Sequence, residues 1–572
     1  MHRREFLVSA GLGAAWAGTG CQQPNAVAHI TGGFTGIDVA RGHSLRDGQR
    51  SGKPWPAPSK IVHTDVVIAG GGIAGLAAAR ALRQQGVEDF VLLELEDTAG
   101  GNSRAGTLGG MACPQGAHYL PVPGPGAPEV QDLLEELGLR LRVAGRWQYD
   151  ERYLCHSPQE RLFFQGHWQE GLLPLQGVGA ATLAQYRRFA ELVEQARASA
   201  RWVLPIQNRP MAQVQSALAA ITFVAYLSQN GLTDPHLRWY LDYCCRDDYG
   251  AGLDTVSAWA GLHYFASRHG FHVPGHDTAN TASTADTAER EGILTWPEGN
   301  AWLSRRLAEP LGTRVHTGRV VVRIANTRTG VEVDALDTSS QTLERWVARS
   351  AVVALPLMVA AQVVQNAPDF LRDAAQSTVY APWLVGNLQL AEPLNDKPGA
   401  APAWDNVLYG TASLGYVDAM HQSLNPVPGP TVLTHYRAVG RSLGGGLGGK
   451  DGGGVRALAA GRQQLWERPW TAWRDEILAE LSLAHPDIRA KTRHIALTRY
   501  GHAMAVPVPR SSGSMGPSPT WNVRQQLSKS ERYPQRPVPQ WEHLRFAHSD
   551  WAGYSVFEEA FALGHAAGGK RL

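Results

Sequence analysis

Glycines spaced as Gly70-x-Gly72-x-x-Gly75 stand directly after the short β-branched run Asp65–Ala69 and open a stretch of Ala, Leu and Arg that ends at Gly86. Strand, glycine turn and helix in that order make a phosphate-binding turn. Gly70 permits the tight turn, Gly72 lets the backbone approach a pyrophosphate, and Gly75 lets helix and strand pack closely, while the helix N-terminus presents free N–H groups and a positive end to the anion. A second apolar strand, from Phe90, ends in Glu94 roughly 20 residues after the turn. A carboxylate there accepts hydrogen bonds from ribose hydroxyls and repels a 2′-phosphate, so the pattern points to FAD or NAD and away from NADP. The five cysteines, Cys21, Cys113, Cys155, Cys244 and Cys245, form no CxxC pair and no Cys/His cluster at ligand spacing. Neither a metal site nor a disulfide framework is expected, and adjacent Cys244 and Cys245 read as two small buried side chains on one helix.

The body that positions these groups has 572 residues, enough for two or three cores, with 53 Lys+Arg against 51 Asp+Glu. That balance excludes a strongly basic nucleic-acid binder and an acidic disordered tail. Hydrophobic residues at 44% and charged residues at 18% are globular composition. Beyond the extreme N-terminus no apolar run reaches the roughly 18 residues a bilayer span requires. The N-terminus itself has a positive n-region and an apolar stretch from Phe6 to Gly20, which is the form of a targeting segment over residues 1–21. Residues 22–60 are polar and rich in Gly and Pro without a period of 2 or 3.6, and are expected to be an extended arm or linker. Val439–Val455 and the stretch from Ala505 toward residue 539 are read as surface loops.

The continuation Glu94-Leu-Glu-Asp-Thr-Ala-Gly100-Gly101-Asn102-Ser-Arg104 resembles the acid and paired-glycine segment of the flavin amine oxidase superfamily, which also includes protoporphyrinogen oxidases and carotenoid desaturases. In that family the paired glycines pass under the FAD phosphates and Arg usually follows them. Here Asn102 takes that place, and Arg104 is the nearby cation. Thr295-Trp-Pro-Glu-Gly299-Asn300 with Leu303 resembles the family's turn and helix before the adenine side, and Val315–Ile324 is expected to be the next strand. The resemblance implies an adenine contact through the backbone of Val321. Ser350–Pro356 resembles the strand and turn that return the chain to the substrate domain. The closing segment Leu544–Ala560 resembles the family's last strand, turn and helix, which implies Asp550 as the acid near the ribityl or pyrophosphate and places the backbone of Ser555, Val556 and Phe557 near the flavin ring. Arg3-Arg4 with Phe6 and Leu7 resembles the twin-arginine signal, which carries folded holoproteins, so a periplasmic location is expected. Gly18-Thr-Gly-Cys21 resembles a lipoprotein cleavage box with Gly where Leu is usual; a membrane tie follows only if Cys21 is lipidated.

These features together imply an α/β flavoprotein. Its Rossmann-like FAD domain is assembled from 61–125, 290–356 and 520–572, interleaved with a mixed-sheet and helical substrate domain from 126–289 and 357–519. In the family's amine oxidases a lysine on a substrate-domain strand holds a water at the flavin; the comparable strand from Tyr380 to Leu388 contains none. His118, in Gln115-Gly-Ala-His-Tyr119, and His502, in a strand-end turn at Tyr500–Ala505, are the candidates for moving a proton near neutral pH. No cysteine follows Cys245, so the C-terminal cysteinyl link of some relatives is excluded and the FAD is expected to be non-covalent. The expected reaction is hydride transfer from a small amine or related donor to FAD, with oxygen or a quinone as acceptor. An NAD-dependent dehydrogenase, a desaturase-like or protoporphyrinogen-oxidase-like enzyme on a non-amine substrate, and a flavin-free binding protein of the same fold stay open as alternatives. No metal and no nucleic acid is expected.

Overall fold

The strand Val66–Ala69 has no polar side chain to offer water on either face and is buried at every position, so it needs neighbours on both edges and cover on both sides. In the computed structural model, which describes residues 27–50, 55–155, 159–206, 211–268, 270–273, 292–423, 427–440, 454–510 and 538–569, it has them. It lies in a six-stranded sheet ordered Val315–His316, Phe90–Leu93, Val66–Ala69, Ser350–Val353, Leu544–Phe546 and Gln540–Trp541. The first five strands run parallel and the last pair antiparallel. From Val66–Ala69 the chain moves first to one side and later returns to the other, so a crevice opens at the carboxyl ends of Val66–Ala69 and Ser350–Val353. Helix Ile73–Gln84 packs along helix Phe557–Gly569 with Gly564 and Gly568 set directly on the Ala74 and Ala78 backbone. Four more strands, Arg319–Thr327, Gly330–Asp337, Thr342–Ala348 and Lys60–His63, form a second sheet beside the first.

The rest of the chain is built on an eight-stranded mixed sheet, with Thr492–Val506 and Val379–Leu390 paired through its middle. Alternate residues of Val379–Leu390 enter two different cores. Trp383 and Val385 join the cluster under helices Ala180–Ser199, Pro235–Tyr249 and Ala258–Ala266, while Leu384 and Leu388 join the one under Trp470–Leu481. The period of two thus buries both faces. Cys244 and Cys245 are free and buried on Pro235–Tyr249. Among the described residues no helix is long and apolar enough to cross a membrane.

Three expectations are corrected. Within 22–60, expected to be an extended arm or linker, the described residues hold regular elements: Thr31–Phe34 forms a parallel edge strand on Thr492–Val506, and Val39–Arg50 is a helix. An edge strand draws its order from the partner's open N–H and C=O row, and among the described side chains of this helix only Leu45 is buried, so neither left a period in the sequence. Val315–Ile324 is two strands in two sheets, parted at Gly318, whose φ of 63° turns the chain. Tyr500–Ala505 contains no strand end: it lies within Thr492–Val506, where Pro382 opposite has no N–H to donate and Gly501–Ala503 bulge out between the pairs Ala381↔Met504 and Trp383↔Tyr500. The export-signal residues 1–21 with Cys21, the glycine-rich 441–453 and residues 511–537 lie outside the described residues.

Candidate active site

Two glycine turns meet in the crevice. Gly72 precedes helix Ile73–Gln84 with no side-chain cap and no acid in the first turn, so the first N–H groups and the positive helix end are free for an anion. A Cβ at Gly75 would lie 1.9 Å from the Gly70 carbonyl oxygen, which excludes any other residue at that helix–strand contact. Gly100 N–H donates to Gly71 O (2.8 Å) and holds the paired glycines against the first turn. A Cβ at Gly101 would sit 3.1 Å from Gly72 Cα, whereas one at Gly72 would meet nothing nearer than 3.9 Å. The space over Gly72 is therefore a cradle that a side chain would fill, which fits a dinucleotide pyrophosphate.

Glu94 faces the same turn: its Oε2 accepts from Gly71 N–H and its Oε1 from Glu96 N–H, both at 2.8 Å. Burial pushes its pKa up, against those two hydrogen bonds. Arg104 donates through Nε to Gly101 O (3.1 Å) and through Nη1 to Gly36 O, with Glu96 3.8 Å away, so the cation stands beside the paired glycines. Asn102 Nδ2 donates to Ala503 O (2.7 Å) and ties that segment to the substrate-side bulge. Val321 lies on Arg319–Thr327 immediately before a bulge that takes Val322 out of the ladder and frees local backbone groups.

At the far end of the chain, Ser549–Ala552 forms a short turn ahead of helix Phe557–Gly569. That helix runs parallel to Ile73–Gln84, since Gly564 meets Ala74 and Gly568 meets Ala78. Its N-terminus is thus offset by six residues, about 9 Å, beyond the pyrophosphate cradle. Ser555 Oγ accepts from Ala505 N–H (3.0 Å). Gly72, Gly101, Asn102, His502, Ser555 and Val556 all keep accessible surface and mark the cleft. Asp550 does not reach into it. Only 1% exposed, its carboxylate accepts from Leu357 N–H (3.0 Å) and Tyr380 OH (2.6 Å), with its other oxygen 3.1 Å from His548 Nδ1. Burial pushes its pKa up, but His548, Tyr380 and the Leu357 N–H outweigh burial and hold it below the usual carboxylate value. The side chain expected to meet ribityl or pyrophosphate instead joins three protein elements.

The segment Gln115–Tyr119 leads from the cradle to a second feature. Ala117 N–H donates to Asn102 O (2.8 Å), Tyr500 OH to Gln115 O (2.6 Å) and Tyr436 OH to Gly116 O (3.1 Å). Asn300, from the expected adenine-side turn, holds Ala117 O and Tyr119 O at 3.0 and 2.8 Å. His118 stacks on Tyr436 with ring centroids 4.1 Å apart and approaches Trp404 at 5.5 Å. Tyr119 OH donates to Asp247 Oδ2 (3.2 Å). Asp405 is paired with Glu160 across adjacent parallel strands, so their side chains share a face. Tyr243 OH reaches Asp405 at 3.4 Å. His118, Tyr119, Glu160, Asp247 and Asp405 are each half-buried and lie in one cluster, and the surface they share is the candidate substrate cavity.

Electrostatics in this cavity are set by desolvation. Burial, with Asp247 nearby, raises Glu160 to about 7. Burial and Asp248 raise Asp247 to about 6. Asp405 is raised well above the ordinary value by burial, then by Glu160 and Asp247. Burial lowers His118 to about 3 and, together with Arg462, lowers His502 to about 4. Both imidazoles are neutral at physiological pH. For His118 an imidazolium would have to form away from solvent, whereas His502 keeps exposed surface and Asp550 acts against its lowering.

The structure therefore draws Gly70, Gly72, Gly75, Glu94, Gly100, Gly101, Asn102 and Arg104 into one cradle and places His118 on the wall of a separate cavity, with His502 on the cleft side. Sequence reasoning missed Glu160, Asp405, Trp404 and Tyr436. Residues 73–443 match the model of the family described as flavin containing amine oxidoreductase. Bovine flavin-containing amine oxidase B is 24% identical over 308 residues, 53% of this chain and 52% of that protein. A putative flavin-containing monoamine oxidase of Mycobacterium tuberculosis is 43% identical over 75 residues, 13% of this chain and 16% of that protein. The chain thus spans about half or less of the length of the curated relatives it matches. Among solved structures, a putrescine oxidase double mutant superposes with TM-score 0.60 and 16% identity over 89% of this chain and 98% of its own. Cyclohexylamine oxidase from Brevibacterium oxydans gives 0.55 and 17% over 88% and 98%. These likenesses establish the fold.

Proposed function

The chain belongs to the flavin-containing amine oxidoreductase family, and on that premise we propose that it binds FAD non-covalently and oxidises a small cationic amine. The observation that carries the substrate class is the half-buried cluster of Glu160, Asp247 and Asp405 beside Tyr119, Trp404 and the His118–Tyr436 stack. An ammonium group is attracted by buried carboxylates and by aromatic faces. A fatty or anionic donor would meet three acids there. Putrescine oxidase, a structural neighbour solved with putrescine bound, is itself an oxidase of a diamine, which agrees with such a cavity.

FAD, when bound, would supply the two-electron acceptor for the hydride from the carbon next to the substrate nitrogen. The chain's own residues do the rest. Gly72 and Gly101 admit the pyrophosphate, Arg104 sets a positive charge beside it, and Glu94 takes the ribose hydroxyls. Neutral His118 offers an uncharged ring face that does not compete with the ammonium for the carboxylates. Glu160 and Asp247, at about 7 and about 6, can take the proton that an entering ammonium must lose before its nitrogen lone pair is available. No lysine occurs on Val379–Leu390, so these carboxylates are the proton acceptors the cavity offers.

The twin-arginine resemblance of residues 1–21 supports export of the folded holoprotein to the periplasm, with membrane attachment only through a lipidated Cys21. The electron acceptor is proposed to be oxygen or a quinone. The test is turnover of the purified protein with monoamines, diamines and uncharged alcohols, read both as peroxide and with a quinone analogue. Oxidation of amines alone supports the reading; oxidation of uncharged donors in preference to amines overturns it.

A further inference from the structure

We propose that residues 31–50 form a strap that closes the cofactor cleft and sets how fast the flavin leaves; this rests on the FAD reading of the cleft. The strap is anchored on both sides. Thr31–Phe34 adds a parallel strand to Thr492–Val506, from Thr31↔His494 to Phe34↔Leu497, and Thr35 N–H donates to Leu497 O (2.8 Å). The Arg499 guanidinium covers the Phe34 ring at 3.6 Å.

The chain then leaves the substrate-side sheet and crosses the segment that holds the nucleotide. Gly36 O accepts from Arg104, the cation beside Gly101. Asp38 N–H donates to the Glu96 carboxylate (3.2 Å), two residues past the ribose acid Glu94. Arg41 reaches Asp97 (2.6 Å) and the Leu95 carbonyl (3.4 Å) and is steadied by Asp38 (3.1 Å). Helix Val39–Arg50 finally seats Leu45 in the flavin-side core and packs beside Arg319–Thr327, the strand that carries Val321.

Glu94–Arg104, which bears the ribose acid, the paired glycines and the cation, is therefore held from outside by a chain fixed to both halves of the protein. For the non-covalent FAD of the proposed function, retention rests on closure by these contacts. Release then requires the contacts of Gly36, Asp38 and Arg41 to open together.

The experiment loads the full-length protein with FAD and follows the rise of flavin fluorescence after dilution, for wild type, Arg41→Ala and Arg41→Lys. Loss of the Arg41 bonds is expected to speed release about tenfold with the bound-flavin absorption spectrum unchanged, and lysine, which keeps the charge without the fork, to fall between. Release from Arg41→Ala at the wild-type rate overturns the strap and leaves the cofactor reading intact. A wild type that takes up no FAD overturns the cofactor reading and the strap with it. Should Arg41→Ala fail to fold, hydrogen exchange of residues 36–45 in the wild type decides: slower exchange with FAD bound supports the strap, and equal exchange overturns it.

Discussion

Asp247→Asn should make the folded protein more stable and a worse binder of amines. Asp247 is raised from 3.8 to about 6, chiefly by burial. At 1.36 kcal/mol per unit, a carboxyl displaced that far costs about 3 kcal/mol once ionised. Below about pH 4 both folded and unfolded chains are protonated and the cost vanishes. Between there and about pH 6 the unfolded carboxyl ionises while the folded one keeps its proton, so stability falls as pH rises; above pH 6 the full cost remains. The asparagine abolishes that cost and still accepts the Tyr119 hydroxyl; the Tyr119 bond to the carboxylate is already contained in the shift, so the net gain is about 3 kcal/mol. Thermal melts of the apoprotein should therefore rise by a few degrees at pH 7.5 and stay unchanged at pH 4. Amine affinity, measured by anaerobic titration of the flavin spectrum, should fall about tenfold or more, because Asp247, which at about 6 ionises ahead of Glu160 at about 7, is gone. A lower midpoint at pH 7.5, or an unchanged amine affinity, would refute the assignment of these carboxylates to substrate binding.

Gly72→Val should leave the apoprotein melt unchanged yet abolish FAD uptake, since the side chain enters open space in the cradle. Gly75→Ala should lower the melt as well, because its Cβ would lie 1.9 Å from a carbonyl oxygen. Asp550→Ala leaves the Leu357 N–H and Tyr380 hydroxyl buried without an acceptor and should cost about 3 kcal/mol in denaturant unfolding. His118→Phe should raise KM for amines while the pH profile of kcat/KM keeps its midpoints, because a histidine held at about 3 does not titrate in the working range.

The cofactor cradle was legible because its chemistry is backbone chemistry: a pyrophosphate turn needs glycines at fixed offsets, so Gly70, Gly72 and Gly75 are close in sequence, and Glu94 stands at the end of the very next strand. The cavity was not legible. Glu160 and Asp405 become neighbours only through the register of two parallel strands from distant parts of the chain, and nothing local marks either one. His118 was placed by its segment, but burial holds its pKa low, and the rings it packs against, Tyr436 and Trp404, lie far away in sequence. Asp550 carries the right residue type at the right turn, yet the Leu357 N–H, the Tyr380 hydroxyl and His548 take up its carboxylate. The strand through Gly501 and His502 looks like a turn until Pro382 is set opposite, where a missing N–H accounts for the bulge. Residues 31–50 show no period because their order is borrowed from Thr492–Val506 and from the acids at Glu96 and Asp97.

The most direct measurement is the visible absorption spectrum of the purified protein during anaerobic addition of a small diamine at pH 7.5. The expected result is a bound-flavin spectrum that bleaches with the diamine in wild type and at a higher diamine concentration in Asp247→Asn. A flavin spectrum that no amine bleaches, or protein that remains colourless after incubation with FAD, would contradict the assignment of this fold to flavin-dependent amine oxidation.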